Sequence, residues 1–356
     1  MSLRLLMVVR PASGGIRQHI ITLARQLTRK GVTVAIAAPS TFLSTLPRDL
    51  AELASFPVEI AGSTNPAKDV LAAYHLTKVI AGGYDLIHSH GLRAGLVTSM
   101  SISGQHVPHL VTFHNLLSTG LATRSALTFI ASCTQGFIAV SPAIAVSLKA
   151  MAPRIQRTVI PNGIPIAEFQ RQPGARPSVF ELDKNGPTVG CVARLSKEKG
   201  VDLFLGVARL IPDVHFLVAG DGPDLAMLQS LAPANVEFAG RVANVRDVYQ
   251  ALDVLVVPSR SEGQGIVALE ALASGIPVVA SNVGGLAEML TDKKTALLVP
   301  VGDVPAIAQS VQHILHNPVL RDLLIENGRD LVARLYSDDQ MLTSTLTVYD
   351  SVQLVH

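Results

Sequence analysis

Glu262 and Glu270 stand eight residues apart in the stretch SEGQGIVALEAL, residues 261–272. Gly263 and Gly265 between them, followed by an apolar run, predict a turn that opens a helix. The free N–H groups at such a start favour a phosphate, and Glu262 lies just ahead of them, at the rim. Helical side chains lean toward the N-terminus, so Glu270, one to two turns inside, turns its carboxylate back toward the same ligand. Two carboxylates beside a phosphate site suit hydroxyls on either side of it, a sugar next to Glu262 and a ribose next to Glu270. That is the outline of a nucleotide-sugar. A purely structural account has Glu262 solvated and Glu270 paired with a cation. The letters GQGIVA also fit the dinucleotide fingerprint, but that motif wants an acidic residue closing the next strand, and IPVVAS runs instead into Ser281 and Asn282.

Further groups point to the same chemistry. ARLSKEKG, residues 193–200, offers Arg194 and Lys199 at a strand end, a fork and a point charge suited to clamping a diphosphate. The alternative is a polar loop ahead of a helix. RPASGGIRQH, residues 10–19, sets Gly14 and Gly15 between a first strand and a first helix, where the backbone can approach a ligand closely or simply turn. VTFHN places His114 and Asn115 at another strand end. In HSHGLR, alternation sends His88 and His90 to one face, with His90 as an acceptor-side candidate; three-ligand metal spacing is absent. AGDGP (219–223) and IPNGIP (160–165) read as turns. No Asp-x-Asp pair occurs anywhere in the chain, so the reading calls for no metal and no cofactor.

These side chains need a scaffold that brings loops together. LRLLMVV, VTVAIAAP, YDLIHSH, PHLVTFHN and GFIAVS in the first half read as buried strands, as do PTVGCVARLS, VHFLVAGDGP, DVLVVPS, IPVVAS and TALLVP in the second. Helical segments alternate with them, which predicts an α/β fold of two doubly wound, Rossmann-like domains whose strand ends face a central cleft. The expected boundaries are a first domain over 1–166, a linker over 167–186, a second domain over 187–336, and a last helix over 337–356 that crosses back to the first domain.

With 356 residues, 48% hydrophobic and 16% charged, the chain has enough apolar material for two cores and is not a disordered protein. Cys133 and Cys191 are the only cysteines, which suits a reducing, cytoplasmic setting. The net charge of +2 conceals a split of +8 over residues 1–170 and −6 over 171–356. The basic half fits an anionic acceptor or peripheral contact with an anionic membrane at its inner face, and nothing suggests a nucleic acid. Residues 116–130, LLSTGLATRSALTFI, predict a helix either buried in the domain or resting at a bilayer. The uncharged stretch from Ser125 to Leu148 parses as helix, strand and helix rather than a membrane span.

Taken together, SGGIRQHIITLARQL, HSHG, VTFHN and IPNGI in the first half, with ARLSKEKG, AGDGP, PSRSEGQGIVALEALASGIPVVAS and GGLAEML in the second, resemble glycosyltransferase family 4, retaining enzymes of the GT-B fold. The resemblance implies transfer of a sugar from a nucleoside diphosphate to an acceptor hydroxyl, without a metal, in cell-envelope or glycoconjugate synthesis. It assigns Arg194 and Lys199 to the donor diphosphate, Glu270 to the ribose, Glu262 to the transferred sugar and His114 to the sugar and acceptor. Gly14, Gly15, Gly263, Gln264, Gly265 and Ile266 complete the implied donor site, with His90 and Asn115 on the acceptor side. Three positions depart from the family: Gln264 replaces its usual Phe, Asn115 its Asp after the histidine, and Pro165 its Asp after the IPNGI turn. A 2-epimerase-like enzyme acting on the nucleotide-sugar alone, or a non-catalytic sugar-binding protein, would share the two-domain plan.

Overall fold

The computed structural model describes residues 3–12, 14–62, 65–102, 106–170 and 186–353, and the chain divides into two compact units. Unit 1 runs to Gly163 and resumes at Asp338; unit 2 is Ile164–Ser337. The first crossing comes ahead of the boundary expected at 166/167. The physical reason lies in the short helix Ile166–Phe169, whose Phe169 is buried edge-on against Tyr249 in the unit 2 core and so ties this helix to unit 2. The expected linker from 171 to 185 lies outside the described residues.

Among the described residues unit 1 has seven parallel strands: β1 (Arg4–Val9), β2 (Thr33–Ala38), β3 (Ala54–Pro57), β4 (Leu86–His90), β5 (His109–Phe113), β6 (Gly136–Ala139) and β7 (Arg157–Val159), in the order β3-β2-β1-β4-β5-β6-β7. The described residues of unit 2 form six, β8 (Thr188–Val192), β9 (His215–Ala219), β10 (Val236–Gly240), β11 (Val254–Val257), β12 (Val278–Ser281) and β13 (Leu297–Val299), in the order β10-β9-β8-β11-β12-β13. Most central strands are apolar runs because helices cover both faces of each sheet; β4, LIHSH, is the exception and is buried all the same. β4, β5 and β6 are buried at every residue, and each fully buried Leu, Ile or Phe contributes about 1.5–3 kcal/mol. Helices start where a polar side chain meets a free N–H: Asn65, Ser141, Asp303 and Asn317 each cap one, with proline just inside.

In both sheets the strand order reverses once, between β1 and β4 and between β8 and β11. Open α/β sheets bind ligands outside the carboxyl ends of the strands at such a reversal. The helix Asp338–Gln353 packs on Gly14–Arg29, within unit 1. Its Tyr349 is fully buried and its hydroxyl lies 2.7 Å from His88 Nδ1, while His88 Nε2 lies 2.7 Å from Thr112 Oγ1. His88 is thus a core group.

Candidate active site

β8 and β11 carry the two loops that matter in unit 2. The chain leaving β8 turns through Arg194, which is exposed, and tightens into a single helical turn, Lys197–Lys199. The AGDGP turn after β9 fixes this loop from beside it: Leu195 N–H donates to the Asp221 carbonyl at 2.9 Å, and Asp224 N–H to the Leu195 carbonyl at 3.1 Å. What reads in the sequence as a plain turn therefore sets the position of Arg194.

From β11 the chain runs through Ser259 to Glu262, and Lys199 Nζ lies 2.7 Å from Glu262 Oε2, with Ser259 Oγ donating to the same oxygen at 3.2 Å. The lysine expected as an open phosphate clamp thus meets the glutamate expected at the sugar, and the two charges offset one another. GGLAEML holds this glutamate from the other side. Gly285 N–H donates to the Glu262 carbonyl at 3.1 Å, and a Cβ on Gly284 would fall 2.3 Å from that oxygen, at a φ of +48°. Only glycine permits that approach.

Gly263, Gln264 and Gly265 follow, and the helix Ile266–Ala273 begins with no side-chain cap, so its first N–H groups are left for something else. Gln264 is buried and Ile266 half-buried. Glu270 lies one turn in and is only 6% exposed. The Tyr249 hydroxyl donates to Glu270 Oε2 at 2.7 Å. Burial pushes the Glu270 carboxyl up to about 7, while the hydrogen bond from Tyr249 works in the opposite direction. The partner is therefore a neutral hydroxyl rather than a cation. Sequence spacing does not single out Tyr249: in the mixed polar and apolar helix Val245–Ala251 a tyrosine carries no signal of its partner.

In unit 1 the ends of β4 and β5 bring His90 and His114 together, Nδ1 to Nε2 at 3.3 Å, both buried. Asn115, one residue on, is exposed. Gly14 and Gly15 open the helix Gly14–Arg29, and one turn and a half along it His19 meets both histidines, 5.5 Å from the His90 ring and 4.7 Å from the His114 ring. The spacing of HSHGLR shows no three-ligand pattern, yet His19, His90 and His114 offer nitrogens within 4.8 Å of one another. The correction is that the third imidazole arrives from a helix far off in sequence. Burial drives His19 down to about 4, with Asn162 opposing, and takes His90 and His114 well below the ordinary histidine value; the surrounding imidazoles and, for His114, Arg10 add to this. All three are neutral near pH 7.

Two family models match the chain, Glycosyltransferase Family 4 over residues 13–168 and Glycosyl transferases group 1 over residues 176–331. Among curated relatives, a phosphatidyl-myo-inositol mannosyltransferase of Mycobacterium leprae is 28% identical over 95% of this chain and 93% of its own length. A GDP-mannose-dependent alpha-mannosyltransferase of Mycobacterium tuberculosis is 32% identical over 68% of this chain and 64% of its own. Among solved structures, Anabaena HepE in complex with UDP and glucose superposes with a TM-score of 0.86 at 19% identity, over 98% of this chain and 100% of that one, which is a likeness of fold. With matched models on both units and a GT-B architecture of two parallel α/β sheets, the chain belongs to glycosyltransferase family 4 and is a glycosyltransferase.

Proposed function

We propose that unit 2 holds the nucleoside diphosphate of a sugar donor at the reversal between β8 and β11, and that the sugar passes to an acceptor hydroxyl with retention and without a metal ion. The observation that carries this reading is the meeting of Lys199, Glu262 and an uncapped helix start, with buried Glu270 one turn behind. An ion pair beside a phosphate-favouring helix end is a natural resting state for two groups with separate ligands. On donor binding Lys199 turns to the diphosphate with Arg194, Glu262 turns to the hydroxyls of the sugar, and Glu270 accepts from the ribose. For the residues of unit 1 the proposed roles are those the family resemblance implies: Gly14 and Gly15 for the donor, His114 for the sugar and acceptor, and His90 and Asn115 for the acceptor.

In the reaction the bond between the anomeric carbon and the β-phosphate oxygen breaks. The acceptor oxygen bonds to the same face of that carbon, and its proton passes to the departing phosphate. Charge gathers on the diphosphate, where two cations and the helix N-terminus stabilise it. The names of the sequence relatives support GDP-mannose as donor and a lipid-borne, phosphate-bearing acceptor. The +8 first half supports the anionic acceptor and peripheral contact with an anionic membrane. No helix among the described residues is long and apolar enough to cross a membrane. The helix Leu121–Ser132 buries Leu127 and Ile130 and leaves Leu121 and Phe129 exposed for such a contact.

The test is incubation with GDP-mannose and, separately, UDP-glucose, with and without phosphatidylinositol vesicles, in excess chelator, followed by NMR of the product's anomeric centre. Acceptor-dependent release of GDP with an α-linked product is expected. Conversion of the donor sugar without an acceptor would overturn the transfer, and activity that needs added manganese would overturn metal independence. Use of UDP-glucose alone would revise the donor and leave the reaction standing.

A further inference from the structure

The reversal in the unit 1 sheet is flanked by the ends of β1 and β4, and the side chains there are Arg10 and His90. Val9 pairs with His90 in register, so Arg10 follows directly at the sheet's carboxyl edge. Arg10 lies over the turn after β4: a Cβ on Gly91 would sit 3.0 Å from Arg10 Nε, and Gly91 has a φ of +91°. The guanidinium is half-buried, and among the described residues it makes no hydrogen bond or ion pair. The contrast is Arg93, in the helix Leu92–Ser101 that follows the turn, whose Nη2 donates to both oxygens of Asp69 at 2.6 and 2.7 Å. A half-buried cation without a counter-charge lowers stability, since it gives up water and receives nothing in exchange.

Next to it His90 Nε2 and His114 Nδ1 are buried and, among the described residues, without a hydrogen-bond partner, and the charge of Arg10 acts on His114. A metal ion on His19, His90 and His114 would satisfy such nitrogens. It would also put a dication beside an unpaired guanidinium, and the grouped ligands include no carboxylate to offset it. An anion gives Arg10 its counter-charge and an acceptor to the one ring N–H that the neutral His90–His114 pair, joined Nδ1 to Nε2, leaves free.

We propose that Arg10, with the one ring N–H that the hydrogen-bonded His90–His114 pair leaves free, forms an oxyanion site in unit 1 that takes a phosphate. The phosphate comes either from the diphosphate of the donor or from a phosphate carried by the acceptor. Only the choice between these sources rests on the glycosyltransferase reading; the site itself does not.

The experiment titrates inorganic phosphate into the full chain carrying 15N-labelled histidine and follows the ring signals of His90 and His114. Both signals move in the wild type. Arg10→Ala weakens the response about tenfold or more, the scale of a lost charge-assisted hydrogen bond, and Arg10→Lys falls between because it keeps the charge without the fork. Lys199→Ala leaves the response intact, which separates this site from the donor site of unit 2 and keeps the failure of one distinct from that of the other. GDP and UDP titrations then name the source. Weaker binding of either to Arg10→Ala assigns the phosphate to the donor, and unchanged binding of both assigns it to the acceptor. Ring signals that ignore phosphate in the wild type, or an equal response in Arg10→Ala, overturn the site. Zinc that binds the three histidines while phosphate does not would replace it with a metal site.

Discussion

Glu270 shows how one buried carboxyl ties stability to function. Its carboxyl titrates near 7 in the folded protein, against 4.5 for the ordinary group. Between those values the folded chain holds a proton that the unfolded chain has released. Folding is therefore favoured most below the lower value and loses stability as pH rises through the upper one. Glu270→Gln keeps an acceptor for Tyr249 and removes the titration. Relative to that variant the wild type should lose roughly 2–3 kcal/mol between about pH 5 and about pH 8, read by denaturant unfolding. A parallel pair of curves would refute the assignment. If Glu270 receives the ribose, GDP affinity of the wild type rises across the same interval, as the carboxylate form fills, and the dependence flattens in Glu270→Gln. For the cations, Lys199→Ala or Arg194→Ala should cut turnover by ~10²-fold or more with the fold retained, which steady-state rates of the purified variants decide. Both glutamates and both cations enter the candidate site from sequence alone, because their spacing relative to glycines and strand ends is local. The Lys199–Glu262 pair, His19 beside His90 and His114, and Tyr249 under Glu270 do not, since each joins residues from different elements and spacing along the chain says nothing of them.

At the scale of elements, the turn after β12 positions the loop after β11 through backbone contacts at Gly284 and Gly285. Gly284→Ala drives a methyl into the Glu262 carbonyl oxygen and imposes a left-handed φ on a residue with a side chain. A loss of about 1–3 kcal/mol is expected, with a fall in transfer beyond any fall in GDP binding, because Glu262 is the group displaced. Thermal unfolding and calorimetry on the same preparation separate the two effects, and a variant with unchanged stability and transfer would show that the contact relaxes freely. The strands read from sequence were mostly buried ones, β13 at a sheet edge among them, whose apolar runs leave a clear signature. β3, β7 and β10 were not read. They lie at sheet edges, mostly half-exposed or exposed, and so carry neither an apolar run nor clean alternation.

For the whole molecule, the charge split predicts binding to vesicles of anionic lipid over neutral ones, weakened by salt, since the Debye length shortens to about 3 Å at 1 M. Cosedimentation at low and high salt measures it, and failure to bind at low salt would leave a soluble acceptor as the partner of the basic half. The two-unit plan was visible in strand–helix alternation, whereas the exact points of crossing depended on Phe169 packing into one core and Tyr349 into the other. The return of Asp338–Gln353 to unit 1 has a consequence for the order of events during synthesis. A ribosome releases the whole of Ile164–Ser337 before that helix emerges, so the unit begun second has its full complement of residues first. Unit 1, begun first, waits with the His88 side of its core open until Tyr349 arrives to close it. The nascent chain therefore finishes from the middle outward, and the earliest strands made are the ones left longest in need of protection.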